Sequence, residues 1–113
     1  MAASDYSKYL PLSEATYYIL VALDEPLHGY SIMQKVEAIS EGTVVIGPGT
    51  LYGAFSTLEK QGLIAMVKEE ARRKSYALTE RGREVLAEQL RRLQIMVRNG
   101  LAAAPLAKKE GAA

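Results

Sequence analysis

The chain has 113 residues, of which 49% are hydrophobic and 24% charged, and it contains no cysteine. A chain of this length builds one domain around one modest core, and without cysteine it has neither disulfides nor thiolate metal sites. No apolar run reaches the roughly 20 residues of a membrane helix, and the first residues lack a basic segment followed by an apolar one. We therefore expect a cytoplasmic protein with no secretory signal and no membrane partner.

The net charge of +1 conceals an uneven distribution along the chain. Residues 1–66 carry three basic and seven acidic side chains, whereas residues 67–113 carry eleven basic and six acidic ones. The N-terminal segment therefore has a net charge of −4, and the C-terminal segment has a net charge of +5. This excess of basic groups favours an anionic partner, although an Arg-rich solvated helix gives the same count.

Hydrophobic spacing predicts two short helices near the N-terminus of the chain. Ser13 is an N-cap candidate for a helix over residues 13–24, which ends where Pro26 disfavours helical geometry in the residue before it. A second helix begins at about Tyr30 and ends near Gly42. Its apolar positions are Tyr30, Met33, Val36 and Ile39. The β-branched run at residues 43–46 predicts a minimal strand.

A third helix is predicted over residues 48–61. Pro48 suits the first turn because its missing N–H would have no partner there, and Gly62 suits the left-handed residue that ends a helix. The apolar face consists of Leu51, Ala54, Phe55 and Leu58. The opposite face is almost uncharged and consists of Thr50, Tyr52, Gly53, Ser56 and Thr57.

Two strands, residues 63–69 and 73–78, predict a β-hairpin. Its short link contains neither glycine nor asparagine, so the turn type stays open. Thr79 is the expected N-cap of a long fourth helix that runs to about Gly100. On this helix the spacing typical of a coiled-coil seam is shown by Leu86, Leu90, Leu93 and Val97.

Three short helices followed by a hairpin are the order of a winged helix-turn-helix. The expected fold class is therefore mainly α with a small β-hairpin, a winged helix-turn-helix followed by a long C-terminal dimerisation helix. We divide the chain into a winged helix-turn-helix DNA-binding domain at residues 1–79, which includes an N-terminal segment at residues 1–12, the dimerisation helix at residues 80–100, and a flexible tail at residues 101–113.

The third helix is the element expected to read duplex DNA, since in this motif the second helix of the pair enters the major groove. Its first N–H groups lie at the positive end of the helix dipole, so a phosphate is stabilised there without a basic side chain. Wing cations neutralise further phosphates. The predicted DNA-binding residues are Thr50, Tyr52, Gly53, Ser56 and Thr57 on the helix and Lys68, Arg72, Arg73 and Lys74 on the wing.

These interpretations have structural alternatives. Tyr52 packs equally well at the edge of a core, and residues 72–74 also suit a merely solvated turn. Glu69 and Glu70 weaken DNA binding if they project toward DNA, and their direction stays open. The leucine seam could also pack against the body of its own chain. A helix of about 20 residues, however, spans about 30 Å, which is longer than the body of so small a domain can cover. We therefore expect the seam to pair with a second copy of the chain.

Two segments resemble the recognition helix and the wing of the PadR family of transcriptional regulators: residues 47–64, GPGTLYGAFSTLEKQGLI, and residues 72–86, RRKSYALTERGREVL. His28, Gly29 and Tyr30, followed by Ile32, resemble the family's turn into its second helix. The matches cover most of residues 10–98, in order and at the family's spacing. The single C-terminal helix resembles that of the short PadR subfamily.

The resemblance implies a dimeric repressor that occupies an operator and is released by a small molecule. It also implies DNA contacts by Thr50 and Tyr52, a basic wing at residues 72–74, and a dimer interface made by the first and last helices. Two positions depart from the family: Gly47 stands where serine is frequent, and Gly53 stands where proline or a larger residue is common. Because the chain has no tryptophan, the Trp-lined drug pocket of some short members is not expected.

A small aromatic or hydrophobic effector is a further expectation. If the first and last helices meet across a dimer, an apolar pocket forms between the subunits. Its candidate residues are Tyr9, Tyr17, Tyr18 and Met96. The alternative is an aromatic interface that holds no ligand.

Neither catalysis nor a cofactor is expected. His28 is the only histidine, and in a turn without a cysteine or a second histidine it is better explained as a structural residue. Glu69 and Glu70 are adjacent on a strand and point to opposite faces, and no phosphate-binding glycine motif occurs. The alternative to a DNA-binding regulator is a winged-helix module that binds protein through its fourth helix, which the basic wing disfavours.

Overall fold

The computed structural model describes residues 6–103, which form four α-helices, one short 3-10 helix and a three-stranded sheet. The order of the elements is the 3-10 helix Ser7–Tyr9, α1 (Glu14–Ala22), β1 (Leu27–His28), α2 (Gly29–Ile39), α3 (Pro48–Lys60), β2 (Ile64–Glu70), β3 (Arg73–Leu78) and α4 (Glu80–Ala102). The strands β2 and β3 form the wing. The expected fold class, a mainly α winged helix-turn-helix with a long last helix, is confirmed.

The helix ends lie close to where local sequence predicts them. The Ser13 hydroxyl accepts a hydrogen bond of 3.1 Å from the Thr16 N–H at the start of α1, and the Thr79 hydroxyl accepts one of 3.0 Å from the Gly82 N–H at the start of α4. Pro48 occupies the first turn of α3. These caps satisfy or remove backbone donors that have no partner inside a helix.

The sheet has the order β1–β3–β2 with both pairs antiparallel. The strand β1 was not expected from the sequence. In it Leu27 pairs with Tyr76 and His28 pairs with Ser75, so His28 lies in a strand rather than in a turn. A two-residue strand carries almost no periodicity of its own, and it exists because β3 offers a free edge beside it.

The strand expected at residues 43–46 is wrong. This segment forms a loop anchored by the buried Ser40, whose hydroxyl donates to the Val44 carbonyl at 3.2 Å and accepts from the Val44 N–H at 3.1 Å. Val44 and Ile46 are buried in the core. The β-branched residues are therefore explained by burial in a loop, with a serine side chain in place of a partner strand.

A β-bulge at Val67 determines which way the wing side chains point. Met66 pairs with Tyr76 and Lys68 pairs with Ser75, so that Val67 is the extra residue between the two pairs. Directly paired residues share a face of the sheet. The bulge therefore places Lys68 on the face of Ser75, whereas uninterrupted alternation would have placed it on the face of Tyr76.

The core lies between the helices and the sheet and includes Val85 from α4. Its fully enclosed large side chains are Ile19, Leu20, Leu23, Ile32, Val36, Leu51, Leu63, Ile64 and Val85. The apolar face of α3 agrees with expectation. In α2, however, Ile32 and Val36 face the core, whereas Tyr30 and Ile39 are 63% and 40% exposed. Of the expected α2 stripe, Val36 is buried and Met33 packs partly buried against the core, whereas Tyr30 and Ile39 do not, and the buried Ile32 was not expected.

The buried residues of α4, Gly82, Val85 and Gln89, all lie in its first half. No later residue of α4 is buried within the stretch that the structure describes. The helix runs to Ala102, two residues past Gly100; the rest of the expected tail, residues 104–113, lies outside the described residues.

An N-terminal strap, defined here as residues 6–12, lies across the core ahead of α1. Its partly buried members are Tyr6, Tyr9, Leu10 and Leu12.

Within residues 6–103 no helix combines the length and apolar character that crossing a membrane requires.

Candidate nucleic-acid interface

The helix α3 presents a polar face to solvent, opposite Leu51, Phe55 and Leu58 in the core. Residues spaced by three and four share one face of a helix. The residues of the outward face are Gly49, Gly53, Ser56 and Lys60, all exposed. Lys60 was not among the predicted site residues, although its spacing from Ser56 places it there.

Thr57 lies on the flank of α3 rather than at the centre of its outward face. Together with Gly53 it borders a groove of about 320 Å³ between α3 and the N-terminal strap. Its hydroxyl donates a hydrogen bond of 3.3 Å to the Gly53 carbonyl. Thr50, at the start of the helix, is exposed. Ser56 is exposed as well, and no hydrogen bond from the hydroxyl of Thr50 or Ser56 is seen among the described residues.

Tyr52 lies between the polar face of α3 and the core. The residue is 54% exposed, and its ring meets the ring of Phe55 edge-on, with centroids 5.9 Å apart. Phe55 in turn contacts Tyr76 of β3, with centroids 4.5 Å apart. One edge of the Tyr52 ring thus packs on the core while about half of the residue stays accessible, so that packing and a DNA contact are compatible.

The strand register divides the wing charges between two faces. Arg73 pairs with Glu70 and Lys74 pairs with Glu69, and neighbours along a strand point to opposite faces. Lys74 and Glu69 therefore share the face of Tyr76, which contacts α3 through Phe55. Arg73 and Glu70 share the other face.

The directions of the two wing glutamates, which the sequence left open, differ from each other. Glu70 turns toward Lys68, with 3.5 Å between its Oε1 and the lysine Nζ, and both side chains are mostly exposed. Such a pair contributes at most about 1 kcal/mol to stability. Glu69 stands on the same side of the sheet as α3.

The tip of the wing is a two-residue turn of Ala71 and Arg72, whose φ angles are 51° and 69°. Positive φ at both central residues is the signature of a type I′ turn, which usually consists of Asn-Gly. The missing Gly and Asn signal is the reason that the sequence did not reveal the turn type.

A cleft of about 270 Å³ opens between α3, the start of α2 and the wing. It is lined by His28, Gly29, Tyr30, Tyr52, Arg72, Arg73, Lys74 and Tyr76. Among the described residues that line the cleft, three are cations and none is a carboxylate, so its potential favours an anion. Burial, and then the charge of Glu59, raises the pKa of the Tyr76 phenol.

Four residues of this cleft were not predicted as site residues: His28, Gly29, Tyr30 and Tyr76. A ring nitrogen of His28 lies 3.2 Å from the Ser31 hydroxyl, and the Tyr30 hydroxyl accepts a 3.2 Å hydrogen bond from Gln34. The only sequence feature that could have pointed to the first three of these residues is the His-Gly-Tyr segment. Without knowledge of β1, this segment indicates a turn and not part of a binding site.

The leucine seam lies mostly on the free face of α4. Leu86 is half-buried against the chain's own core, but Leu90 and Val97 are 46% and 59% exposed. Together with Leu93 they border an open, apolar groove of about 410 Å³, which continues to Leu101. Of the four seam residues, only Leu86 therefore packs against the core of its own chain.

One subunit does not bring the four expected effector residues together. Tyr9 lines the groove beside α3, whereas Tyr17 lines a second groove of about 460 Å³ between α1 and α4. Tyr18 packs against the core and against the Tyr17 ring, with centroids 5.6 Å apart, and Met96 is 64% exposed. Leu90 lines both the α1–α4 groove and the seam groove, so these two grooves share one side chain.

The fold and this surface define a winged helix-turn-helix protein of the DNA-binding class. The family model described as the transcriptional regulator PadR-like family matches residues 19–88. The chain therefore belongs to the PadR-like family of transcriptional regulators, which are DNA-binding proteins and not enzymes. Among residues 6–103, no group of three histidine, cysteine, aspartate or glutamate side chains is placed to hold a metal ion.

Similar proteins agree with this membership. The chain is 41% identical over 75 residues, 66% of its length, to an uncharacterised 37.1 kDa protein of transposon TN4556 in Streptomyces fradiae. It is 32% identical over 81 residues, 68% of its length, to the transcriptional regulator YqjI of Escherichia coli K12. These matches span only 21% and 39% of the two relatives. A PadR-like transcription factor from Bacteroides fragilis is 26% identical, with a TM-score of 0.66 over 79% of this chain and 88% of that one.

Proposed function

We propose that the chain is a repressor that binds a two-fold symmetric operator in duplex DNA as a homodimer and is released by a small apolar or aromatic effector. The observation that carries the proposal is the adjacency of a neutral, hydroxyl-rich face on α3 and a cleft bordered by Arg72, Arg73 and Lys74. The helix suits base edges in the major groove, and the cleft suits the flanking phosphates.

The division of labour between these elements follows from their chemistry. Hydroxyl and aromatic groups such as those of Ser56 and Tyr52 discriminate between base edges, including the thymine methyl group. The wing cations attract every phosphate equally and supply affinity that does not depend on sequence. Lys68 is not among the residues that line the cleft and is paired with Glu70, so its contribution is smaller than that of Arg73, which lines the cleft.

The homodimer is supported by the free half of α4. Leu90, Leu93, Val97 and Leu101 line one apolar groove, and a helix that projects such a stripe from a small body is stabilised by a second helix. A two-fold dimer of this kind presents two recognition helices to half-sites about 34 Å apart.

The effector is supported by the groove between α1 and α4. Its floor is apolar, with Leu20, Leu78 and Leu86, and Tyr17 stands at its side. Asp24 and Arg83 also line it; Asp24 is paired with Lys35 at 2.5 Å. Since the groove shares Leu90 with the seam groove, a molecule bound there lies beside the proposed dimer interface and acts on its packing.

Selection of binding sites from random DNA, followed by footprinting and salt titration, tests the proposal. We expect two related half-sites about one helical turn apart and an affinity whose logarithm falls linearly with the logarithm of salt concentration. A single unpaired footprint contradicts the symmetric dimer. A chain that stays monomeric and ignores DNA in dilute buffer supports the alternative, a winged-helix module that binds protein.

A further inference from the structure

The buried side chain of Gln89 connects α4 to the N-terminal strap. Gln89 is 5% exposed and lies on the core face of α4, one turn after Val85. Its Oε1 accepts a hydrogen bond of 2.8 Å from the backbone N–H of Leu12. Buried polar groups are retained where they are hydrogen-bonded, and loss of one partner leaves the other unsatisfied.

The strap in turn borders the recognition helix. Tyr9, Pro11 and Leu12 line one wall of the groove whose other wall is α3. Leu12 therefore takes part in both contacts, since its N–H meets α4 and the residue also lines the groove beside α3. The next residue, Ser13, caps α1, which fixes the end of the strap.

We infer that Gln89 is a positioning residue that holds α4 and α3 at a fixed angle through the strap. In a dimer paired along α4, this angle sets the separation of the two recognition helices and thereby the half-site spacing that fits. The effect on half-site spacing rests on the proposed dimer, whereas the fixed angle within one chain does not. Leu86 and Leu93 stand three and four residues from Gln89, so a change at these seam positions reaches it directly.

The intrachain angle is measurable because the chain has no cysteine. The double substitution Lys60→Cys and Asn99→Cys provides attachment points for spin labels at exposed positions on α3 and α4. Mixing with an excess of unlabelled chain removes the contribution of label pairs on different subunits, so only the distance within one chain is measured. We expect a narrow distance distribution for the chain with Gln89 and for Gln89→Glu, which keeps the acceptor oxygen. Gln89→Met should broaden the distribution and shift its mean by several ångström. Gln34→Met, the same exchange at an exposed position, is the matched control and should change nothing.

A second variant tests the other side of the same bond. Leu12→Pro removes the N–H donor and leaves Gln89 in place. We expect it to broaden the distribution as Gln89→Met does, and the double variant to add little, because both changes break one interaction. If Gln89→Met fails to fold, the distance distribution of Leu12→Pro still shows whether the hydrogen bond between Gln89 and Leu12 fixes the angle between α3 and α4. A distribution that stays narrow in a folded variant of either kind overturns the inference.

Half-site spacing provides the functional readout. On a series of DNAs with two half-sites at varied separation, Gln89→Met should lower the discrimination between best and worst spacing about tenfold, equivalent to about 1.4 kcal/mol. A wild-type chain without any spacing preference refutes the proposed dimeric operator, and the spin-label distances then still decide the role of Gln89. A wild-type preference that Gln89→Met leaves unchanged overturns only the inferred effect on spacing.

Discussion

A Cβ atom on Gly29 would lie 2.6 Å from the hydroxyl oxygen of Tyr52. The first residue of α2 and the exposed tyrosine of α3 are thus in direct contact, with no room for a side chain at position 29. This contact holds the Tyr52 ring at the side of the cation-lined cleft, and it explains why a glycine begins α2 there.

Gly29→Ala should displace the Tyr52 ring. We expect the free energy of unfolding to fall by about 1–2 kcal/mol, as for other overpacked sites, and the affinity for the operator to fall with it. Adding Tyr52→Phe removes the hydroxyl that meets the new methyl group, so the double variant should recover most of the stability. Thermal unfolding of the three chains measures this; equal destabilisation of single and double variants would contradict the contact.

Arg73→Ala and Tyr52→Ala should separate affinity from specificity. Loss of the Arg73 cation should weaken binding to operator and to random DNA by a similar factor, since it removes a phosphate contact, and it should reduce the salt slope by about 1. Tyr52→Ala should reduce the preference for the operator. Titration of both variants on both DNAs checks the assignment, and the reverse pattern would refute it.

Arg72→Gly should make the chain more stable and its DNA binding weaker. Arginine in the left-handed region costs about 1–2 kcal/mol that glycine does not, so the melting temperature should rise. Loss of the cation should lower DNA affinity. Ala71→Gly is the matched control at the neighbouring left-handed position, and it should raise stability without altering the salt dependence. A drop in stability for Arg72→Gly would show that the turn is not strained.

Gly82→Ala and Gly100→Ala should have opposite effects within one helix. A Cβ at position 82 would overlap the backbone carbonyl oxygen of Leu63, while nothing lies within 4 Å of one at position 100. We expect Gly82→Ala to lower the free energy of unfolding by about 3 kcal/mol and Gly100→Ala to raise it by up to about 1 kcal/mol. Denaturant titration compares them. If both substitutions stabilise, α4 does not sit this close to Leu63.

Val97→Asp should convert the proposed dimer into a folded monomer. Val97 lies in the seam groove beyond the segment of α4 that packs on the body, so a carboxylate there disrupts pairing and leaves the core intact. Asn99→Asp adds the same charge two residues away, outside that groove, and should remain dimeric. Sedimentation with circular dichroism distinguishes the cases, and an unfolded Val97→Asp chain would mean that α4 packs on its own body beyond Gln89.

The features of the fold that follow from neighbouring residues were predictable. The apolar face of α3, the proline in its first turn, and the caps Ser13 and Thr79 all depend on contacts within one helical turn. The periodicity of the wing strands is similarly local. These features placed the predicted recognition helix and wing within one or two residues of their observed bounds.

The strand β1 and the bulge at Val67 were not predictable in the same way. A two-residue strand has too little periodicity to be recognised, and a bulge changes pairing without changing composition. Both depend on β3, which lies far away in sequence from β1 and pairs with β2 only across the turn. Because of them, His28 and Tyr30 join the cleft, and Lys68 lies on the face away from α3.

Sequence by itself determined the order of the elements, the neutral face of α3 and the apolar seam of α4, because each of these is written in residues a few positions apart. Tertiary structure alone decided that Gln89 is buried while Leu90 beside it is exposed, and which of Arg73 and Lys74 shares the α3 side of the wing. The physical reason is that burial and strand register depend on which distant segments meet. The spacing of residues along a helix or strand determines which side chains share a face. Tertiary packing determines whether that face meets the core, another element or solvent.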